Sequence, residues 1–307
     1  MENNITIKKP AKKKMGALQI VLLSALCLYT LILVMLFVWA ILFSFKGEME
    51  YATHVVQMGE GWKNVNPLGT FAFPKELTFE SFIVAWDELV IPVGSVKYGV
   101  LDMYWNSILY SVGTAFTTTL VPCITAYLCA KFPYKFSKVI SATVVVAMII
   151  PIVGADASAI RVARLFNLYN SIPGMWIMGA TFTGMYFLVF EAIFRSLPND
   201  YAEAAEFDGA SIWSVLFRII LPLVKNTFAT VFLINFIGLW NNYATPMIYL
   251  RDYPTIAYGE YYAAFFTSHL KTQQIAIAML VFIPMLVVFA LFNGKLMGNL
   301  TMGGLKG

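Results

Sequence analysis

The chain has 307 residues, of which 59% are hydrophobic and only 12% are charged. Soluble domains carry roughly 25% charged residues, so a chain with half that fraction cannot turn its whole surface to water, and the composition predicts an integral membrane protein. The net charge of +4 is modest, and no long basic or acidic tract indicates binding to nucleic acid.

A basic tail over residues 1–16 opens the chain, and an apolar run follows over residues 17–45. This run is much longer than the about 7–15 apolar residues of a cleavable signal peptide, and no small-x-small cleavage site closes it. We therefore expect a signal anchor that is retained as the first transmembrane helix. Its lysine-rich tail is expected to stay in the cytoplasm.

The next segment, residues 46–104, is long and more polar, and is predicted to be an extracytoplasmic loop. Within it Thr78 is placed to cap a short helix, and Glu80 falls in the first turn of that helix. Two interpretations stay open for this helix. It rests on the membrane bundle as a surface helix, or it offers a docking surface to an external partner.

The remaining apolar runs form a predicted core over residues 105–297, followed by a short cytoplasmic tail at 298–307. A membrane crossing needs about 20 mainly apolar residues, and five runs meet this length, at 105–130, 138–157, 173–194, 219–248 and 274–297. The predicted fold is therefore an all-α integral membrane protein with six transmembrane helices. Lysines and arginines are more frequent in the segments that this arrangement leaves in the cytoplasm, which predicts that both termini are cytoplasmic.

Residue types that carry chemistry are few. The three cysteines, Cys27, Cys123 and Cys129, lie in apolar runs and are expected to pack as small apolar side chains, without a disulfide or a metal. No phosphate-binding GxxxxGK[ST] loop and no catalytic constellation occurs. The chain is therefore expected to hold no cofactor and to perform no catalysis.

One polar stretch, residues 198–222, separates the fourth and fifth predicted spans on the cytoplasmic side. Pro198 stops the preceding helix, and Asp200 is placed to cap a new one, with Glu203 three residues further on. This helix is expected to cover residues 200–208 and to end at Gly209 in a left-handed conformation. A second helix then returns to the membrane, with Pro222 in the first turns of span five. The pattern predicts a helix–turn–helix elbow parallel to the membrane surface.

The spacing of residues within this stretch is specific. It follows the pattern E-A-A-x3-G-x9-I-x-L-P, which is met in full by Glu203, Ala204, Ala205, Gly209, Ile219, Leu221 and Pro222. The pattern resembles the signature loop of ATP-binding cassette (ABC) importer permeases, whose core is of the MetI-like type. The stretches "FIGLWNNYATPMIYLRDYPT" and "GNLTMGGLKG" are similar to the carbohydrate-uptake branch, specifically to the maltose-type smaller permease (MalG-like). The long outer loop departs from that pattern.

The resemblance implies a function and a set of partners. The chain would be the permease subunit of an ATP-driven sugar or oligosaccharide importer in the cell membrane, and would form half of the translocation pathway. It would pair with a second, different permease, and an extracytoplasmic sugar-binding protein would deliver the solute. Two ABC ATPase subunits, which carry ATP and Mg²⁺, would bind beneath the membrane. The 203–222 loop would couple the permease to one ATPase.

Sugar pathways present aromatic faces together with amide groups. Four residues of span five fit such a lining: Asn235, Trp240, Asn241 and Asn242. Trp and Tyr near a membrane boundary also form interfacial belts, so this second interpretation stays open.

Two other classes of protein compete with the importer. A stand-alone secondary transporter or channel would need coupling-ion sites, carboxylates at mid-membrane or broken helices in matched repeats, and the sequence shows neither repeated halves nor a central carboxylate. A membrane enzyme would need a catalytic constellation, and the sequence shows none.

Overall fold

The computed structural model describes residues 16–53, 55–58, 61–64, 69, 72–132, 134–150 and 154–300. The described part is mostly helical and divides into two compact units, Met1–Ser81 and Phe82–Gly307. Most of the predicted cytoplasmic tails, 1–16 and 298–307, lies outside the described residues.

The first unit begins with helix α1, Ala17–Ser44, which agrees with the predicted first span to within one residue. Its side chains are apolar all round, and nearly all are exposed in the isolated chain. A helix that is hydrophobic on every face needs an apolar environment, so α1 fits lipid or a partner helix. Helix α2, Glu48–Ala52, and an antiparallel hairpin of β1, Val55–Met58, and β2, Gly61–Asn64, follow.

Lys46, directly after α1, is fully buried. Its Nζ donates to the carbonyls of Gly69 (2.9 Å) and Ala72 (3.2 Å) and lies 3.6 Å from Oε1 of Glu50. A buried charge is tolerated only when it is paired and hydrogen-bonded, and Lys46 meets both conditions. The hydroxyl of Thr78, the residue expected to cap the next helix, donates to the Phe45 carbonyl.

The second unit begins with short elements and continues into a helical core. Helix α3, Glu80–Glu88, straddles the boundary between the units, and a second hairpin is formed by β3, Ile91–Val93, and β4, Val96–Tyr98. The helices that follow are α4 Val100–Lys131, α5 Lys135–Ile149, α6 Asp156–Leu165, α7 Ile172–Gly179, α8 Met185–Ser196, α9 Asp200–Phe207 and α10 Ile212–Val215. After a π-helical turn, Leu216–Ile220, come α11 Leu221–Leu223, α12 Lys225–Trp240, α13 Ala244–Tyr249, α14 Ile256–Phe266 and α15 Lys271–Leu300.

Helix α4 is the central element of this unit and packs against α7, α8 and α12. At 32 residues it is about 48 Å long, so different parts of it serve different buried clusters. Met103 belongs to a cluster with Trp240 of α12. Near the other end of α4, Tyr127 belongs to a second cluster, which also contains Phe190 of α8 and Leu216. We call it the elbow cluster.

The six-span arrangement is only partly visible in the helices themselves. Among the described residues, three helices are long and apolar enough to cross a membrane: α1, α4 and α15. A fourth crossing results if the bent pair Ile212–Leu223 and Lys225–Trp240 is taken as one span. The predicted run 173–194 is broken between α7 and α8, where Gly184 adopts φ = +132°. The run 138–157 gives only the 15-residue helix α5.

Candidate functional site

The polar stretch after α8 forms the predicted elbow. Helix α9 starts one residue earlier than its expected cap implies, because the Glu203 amide donates to the Asn199 carbonyl (3.0 Å), which makes Asn199 the N-cap residue. Asp200 is then the first helical residue, where its negative charge still favours the helix N-terminus. The cap assigned to Asp200 is therefore corrected to Asn199.

Lys131, the last residue of α4, holds the start of the elbow. Its Nζ donates to the Leu197 carbonyl (2.6 Å) and to Oδ1 of Asn199 (2.8 Å). The C-terminal end of the central helix is thus attached directly to the residue that caps α9. Lys131 was not among the site residues predicted from the sequence.

Gly209 ends α9 as predicted, with φ = +79°. The Ala210 amide donates back to the Ala205 carbonyl (2.9 Å), five residues earlier. A glycine in the left-handed region followed by this bond is the Schellman termination of a helix. Ala205 and Ala210, the two ends of the bond, are half-buried and pack against the elbow cluster.

The return limb of the elbow is a continuous but irregular helical segment. Ser211 caps α10 by accepting the Ser214 amide (3.3 Å), and residues 216–220 then form a π-helical turn. Pro222 has no N–H to donate to the carbonyl of Arg218, and its ring crowds that carbonyl. The wider π-helical turn that contains Arg218 accommodates the ring.

The run predicted as span five is bent, because the segment Ile212–Leu223 meets Lys225–Trp240 at 79°. Pro222 lies at the end of the return limb, before the bend. The helix that follows the bend begins at Lys225.

The inner face of the return limb is anchored in the protein. Val215, Leu216, Ile220 and Val224 are all buried in the elbow cluster, beside the buried aromatic side chains of α8. Ile219 and Leu221 are half-buried. A movement of the elbow must therefore displace the packed ends of α4 and α8, because interiors at this density do not deform freely.

The outer face of the elbow is open. Glu203, Ala204 and Pro222 are exposed, and Phe207 is 92% exposed at the end of α9. Trp213 is 56% exposed and stacks on Phe217, with 6.2 Å between ring centroids. Neither Phe207 nor Trp213 was among the site residues predicted from the sequence. For Phe207 the sequence did offer a signal of an exposed contact residue, since it is an apolar residue at the end of a short acidic helix.

The predicted pathway residues of span five have different surroundings. Asn235 donates to Oγ1 of Thr119 on α4 (3.1 Å) and is half-buried. Asn241 is exposed and donates to the Ile237 carbonyl of its own helix. Asn242 accepts the Thr245 amide (3.0 Å) and so holds the start of α13.

Trp240, the fourth of these residues, is only 2% exposed. Its indole N–H donates to the Val281 carbonyl (3.1 Å), and its ring packs near Tyr104. In the isolated chain the side chain lies in the core between α4, α12 and α15, which differs from the expected position on a pathway.

No group of three or more His, Cys, Asp or Glu side chains in the described ranges is arranged to hold a metal ion.

Comparison with known proteins identifies the class of membrane protein. Residues 119–296 match the family described as binding-protein-dependent transport system inner membrane component. The match covers the elbow, the helices that follow it and the whole elbow cluster.

Individual relatives are similar over most of their length. The diacetylchitobiose uptake system permease protein NgcG of Streptomyces coelicolor is 25% identical over 91% of this chain and 86% of its own. The melibiose/raffinose/stachyose import permease protein MelC of Bacillus subtilis is 24% identical, over 76% of this chain and 83% of its own.

The fold is similar to one chain in the crystal structure of a bacterial ABC transporter involved in the import of the acidic polysaccharide alginate. The TM-score is 0.67, with 20% identity, over 93% of this chain and 99% of the other. With the family match over more than half of the chain, this multi-pass membrane protein belongs to the inner membrane components, or permeases, of binding-protein-dependent transport systems.

Proposed function

We propose that the chain is the permease subunit of an ATP-driven importer of sugars or oligosaccharides, and that a separate ATPase drives it through the elbow at 198–222. The observation that carries the proposal is the geometry of the elbow. A short helix with an open outer face, fixed by a Schellman turn, is attached at one end to α4 and at the other to the elbow cluster.

The proposed docking surface is the outer face of α9 and the start of the return limb. Glu203 offers a charge to a basic partner, Ala204 allows a close approach, and Phe207 and Trp213 offer exposed apolar area. Exposed aromatic side chains are typical anchors of protein interfaces. Gly209 and Pro222 set the shape of the elbow, and the half-buried Ile219 and Leu221 help to attach it to the rest of the protein.

We infer six crossings, with both termini in the cytoplasm. The crossings missing from the long helices would come from α5, from α7 with α8, and from α12 with α13. If α12 crosses the membrane, the 79° bend lays the return limb close to the membrane plane. This orientation agrees with a docking surface beneath the bilayer, and leaves residues 46–104 outside.

A saccharide as the solute is supported by the relatives, whose names specify uptake of oligosaccharides. The expected partners are a second permease, two ATPase subunits and an extracytoplasmic binding protein. Asn235, Asn241 and Asn242 remain the proposed pathway residues, whereas the position of Trp240 favours a role in holding α12.

The test is reconstitution of the full assembly in proteoliposomes, with ATP hydrolysis and uptake of labelled oligosaccharides measured together. The purified chain alone is expected to hydrolyse no ATP, and the assembly is expected to import a saccharide at the expense of ATP. Saturable ATPase activity of the chain alone, with contaminating subunits excluded, or uptake that continues without any ATPase subunit would contradict the proposal.

A further inference from the structure

A second site is suggested by a cavity of about 550 Å³ in the outer part of the Phe82–Gly307 unit. Three segments of chain line it: the β3–β4 hairpin, the loop between α6 and α7, and the stretch from α13 into α14. Small-molecule sites in proteins have volumes of about 300–1,000 Å³, so the cavity has the size of a ligand site. It is separate from the elbow and from the proposed pathway residues.

The α6–α7 loop, which forms one wall, is held in an uncommon backbone conformation. Asn167 and Asn170 have φ of 55° and 56°, on either side of Tyr169. Amides of Leu168 and Tyr169 both donate to the Ala163 carbonyl, at 2.7 and 3.1 Å. Left-handed residues other than glycine persist where their surroundings fix them, and they cluster at ligand clamps.

This loop is fastened to the opposite loop by a two-point contact. The Asn170 side chain donates to Oδ2 of Asp252 (2.6 Å), and its Oδ1 accepts the Asp252 amide (2.9 Å). The Tyr169 hydroxyl donates to the Ile248 carbonyl (3.1 Å). The wall of the cavity is therefore built before any ligand arrives, which lowers the entropic cost of binding.

The polar groups of the cavity retain free bonding capacity. Within the part of the chain that the structure describes, Oδ1 of Asp252 has no hydrogen-bond donor and Arg251 has no carboxylate within 4.0 Å. Arg251 and Asp252 are adjacent, so they bring no net charge to the cavity. An anionic ligand would meet the carboxylate as well as the guanidinium, which favours a neutral ligand rich in hydroxyl groups.

Aromatic faces complete the lining. Tyr258 and Tyr262 lie one helical turn apart on α14, with ring centroids 6.4 Å apart, and Tyr169 stands on the loop side. Burial, reinforced by the neighbouring tyrosines, raises the pKa of Tyr258, so its hydroxyl stays protonated at neutral pH and remains a donor. The negative face of an aromatic ring attracts the partly positive C–H groups of a pyranose ring.

We propose that this cavity, which we call the tyrosine pocket, binds one end of a neutral mono- or disaccharide at the outer mouth of the permease. Tyr258 and Tyr262 contact the faces of the sugar rings, and Arg251 with Oδ1 of Asp252 binds their hydroxyl groups. This assignment rests on the proposed saccharide importer, and adds to it a solute contact on this subunit outside the membrane.

The test uses the full chain in nanodiscs free of glycoside detergents, because such detergents are themselves ligands for a sugar site. Maltose, melibiose, arabinobiose and N,N′-diacetylchitobiose are titrated by saturation-transfer NMR. At least one should bind, and Tyr258→Ala and Tyr262→Ala should each weaken that binding by about tenfold. Tyr262→Phe, which keeps the ring, should bind more tightly than Tyr262→Ala. Tyr134→Ala, at an exposed tyrosine outside the pocket, should leave binding unchanged.

Binding of none of the four sugars, or equal binding by the alanine variants that elute and melt like the wild type, would overturn the assignment. A variant that weakens only the association with the binding protein would show that the pocket holds a protein segment instead. If the assembly imports a saccharide while the variants bind it normally, the pocket assignment fails and the importer stands. If the pocket binds sugar but the assembly imports none, the importer fails.

Discussion

Gly209 is the residue on which the shape of the elbow depends most directly. It adopts φ = +79°, and an added Cβ would meet no atom within 4 Å. A substitution there is therefore strained by its backbone alone and not by a clash. Ala204 and Ala205, neighbours in the same pattern, have different roles, because Ala204 is exposed and Ala205 packs against its own protein.

Gly209→Val should reduce solute uptake per permease molecule more than it reduces permease abundance. The left-handed conformation costs a β-branched side chain about 1–2 kcal/mol, and relief of that strain changes the angle between α9 and the return limb. Gly209→Asn is the matched control, since asparagine tolerates this conformation. Uptake normalised to abundance is measured for both variants. Normal uptake by the valine variant would show that the angle is unimportant.

At the scale of elements, the start of the elbow is hydrogen-bonded to the end of α4 through Lys131. Lys131→Met keeps the apolar stem and removes both hydrogen bonds to the start of α9. Hydrogen bonds of a charged group contribute about 1.5–3 kcal/mol, so the amides of α9 should exchange faster with solvent. Hydrogen–deuterium exchange followed by mass spectrometry measures this effect.

The control for that experiment is Lys135→Met, at an exposed lysine of α5. It should leave exchange in α9 at the wild-type rate. Equal protection of α9 in the Lys131 and Lys135 variants would mean that the ammonium group does not hold the elbow.

The sequence predicted some of these elements well because local rules determine them. Pro198 and Gly209 bound the short helix as expected, since a missing N–H and a left-handed turn are properties of single residues. The break at Gly184 was hidden, because apolar side chains continue on both sides of it. The burial of Trp240 and the attachment of Lys131 depend on contacts between distant helices, about which the periodicity of one helix carries no information.

At the scale of the whole molecule, the proposed topology places α9 and the segment after α1 on opposite sides of the membrane. In a chain without Cys27, Cys123 and Cys129, single cysteines at Phe207 and Met49 report this arrangement, since both positions are highly exposed. In cells that express the chain without its ATPase subunits, so that the elbow is uncovered, an impermeant thiol reagent should label Met49→Cys in intact cells, and should label Phe207→Cys only after permeabilisation. Labelling of Phe207→Cys in intact cells would contradict six crossings with cytoplasmic termini.

The proposed function requires an ATPase that binds the outer face of the elbow. The most direct measurement is the amount of ATPase subunit that co-purifies with the chain, normalised to permease abundance, for Ala204→Trp. Ala204 is exposed, so the bulky ring should leave the fold intact and prevent close approach of the partner. Ala264→Trp, at an exposed alanine of α14, is the matched control. We predict that co-purification falls by about tenfold or more for Ala204→Trp, as expected for a disrupted interface centre, and stays normal for the control. Normal co-purification with Ala204→Trp would contradict the assignment of the elbow as the coupling site.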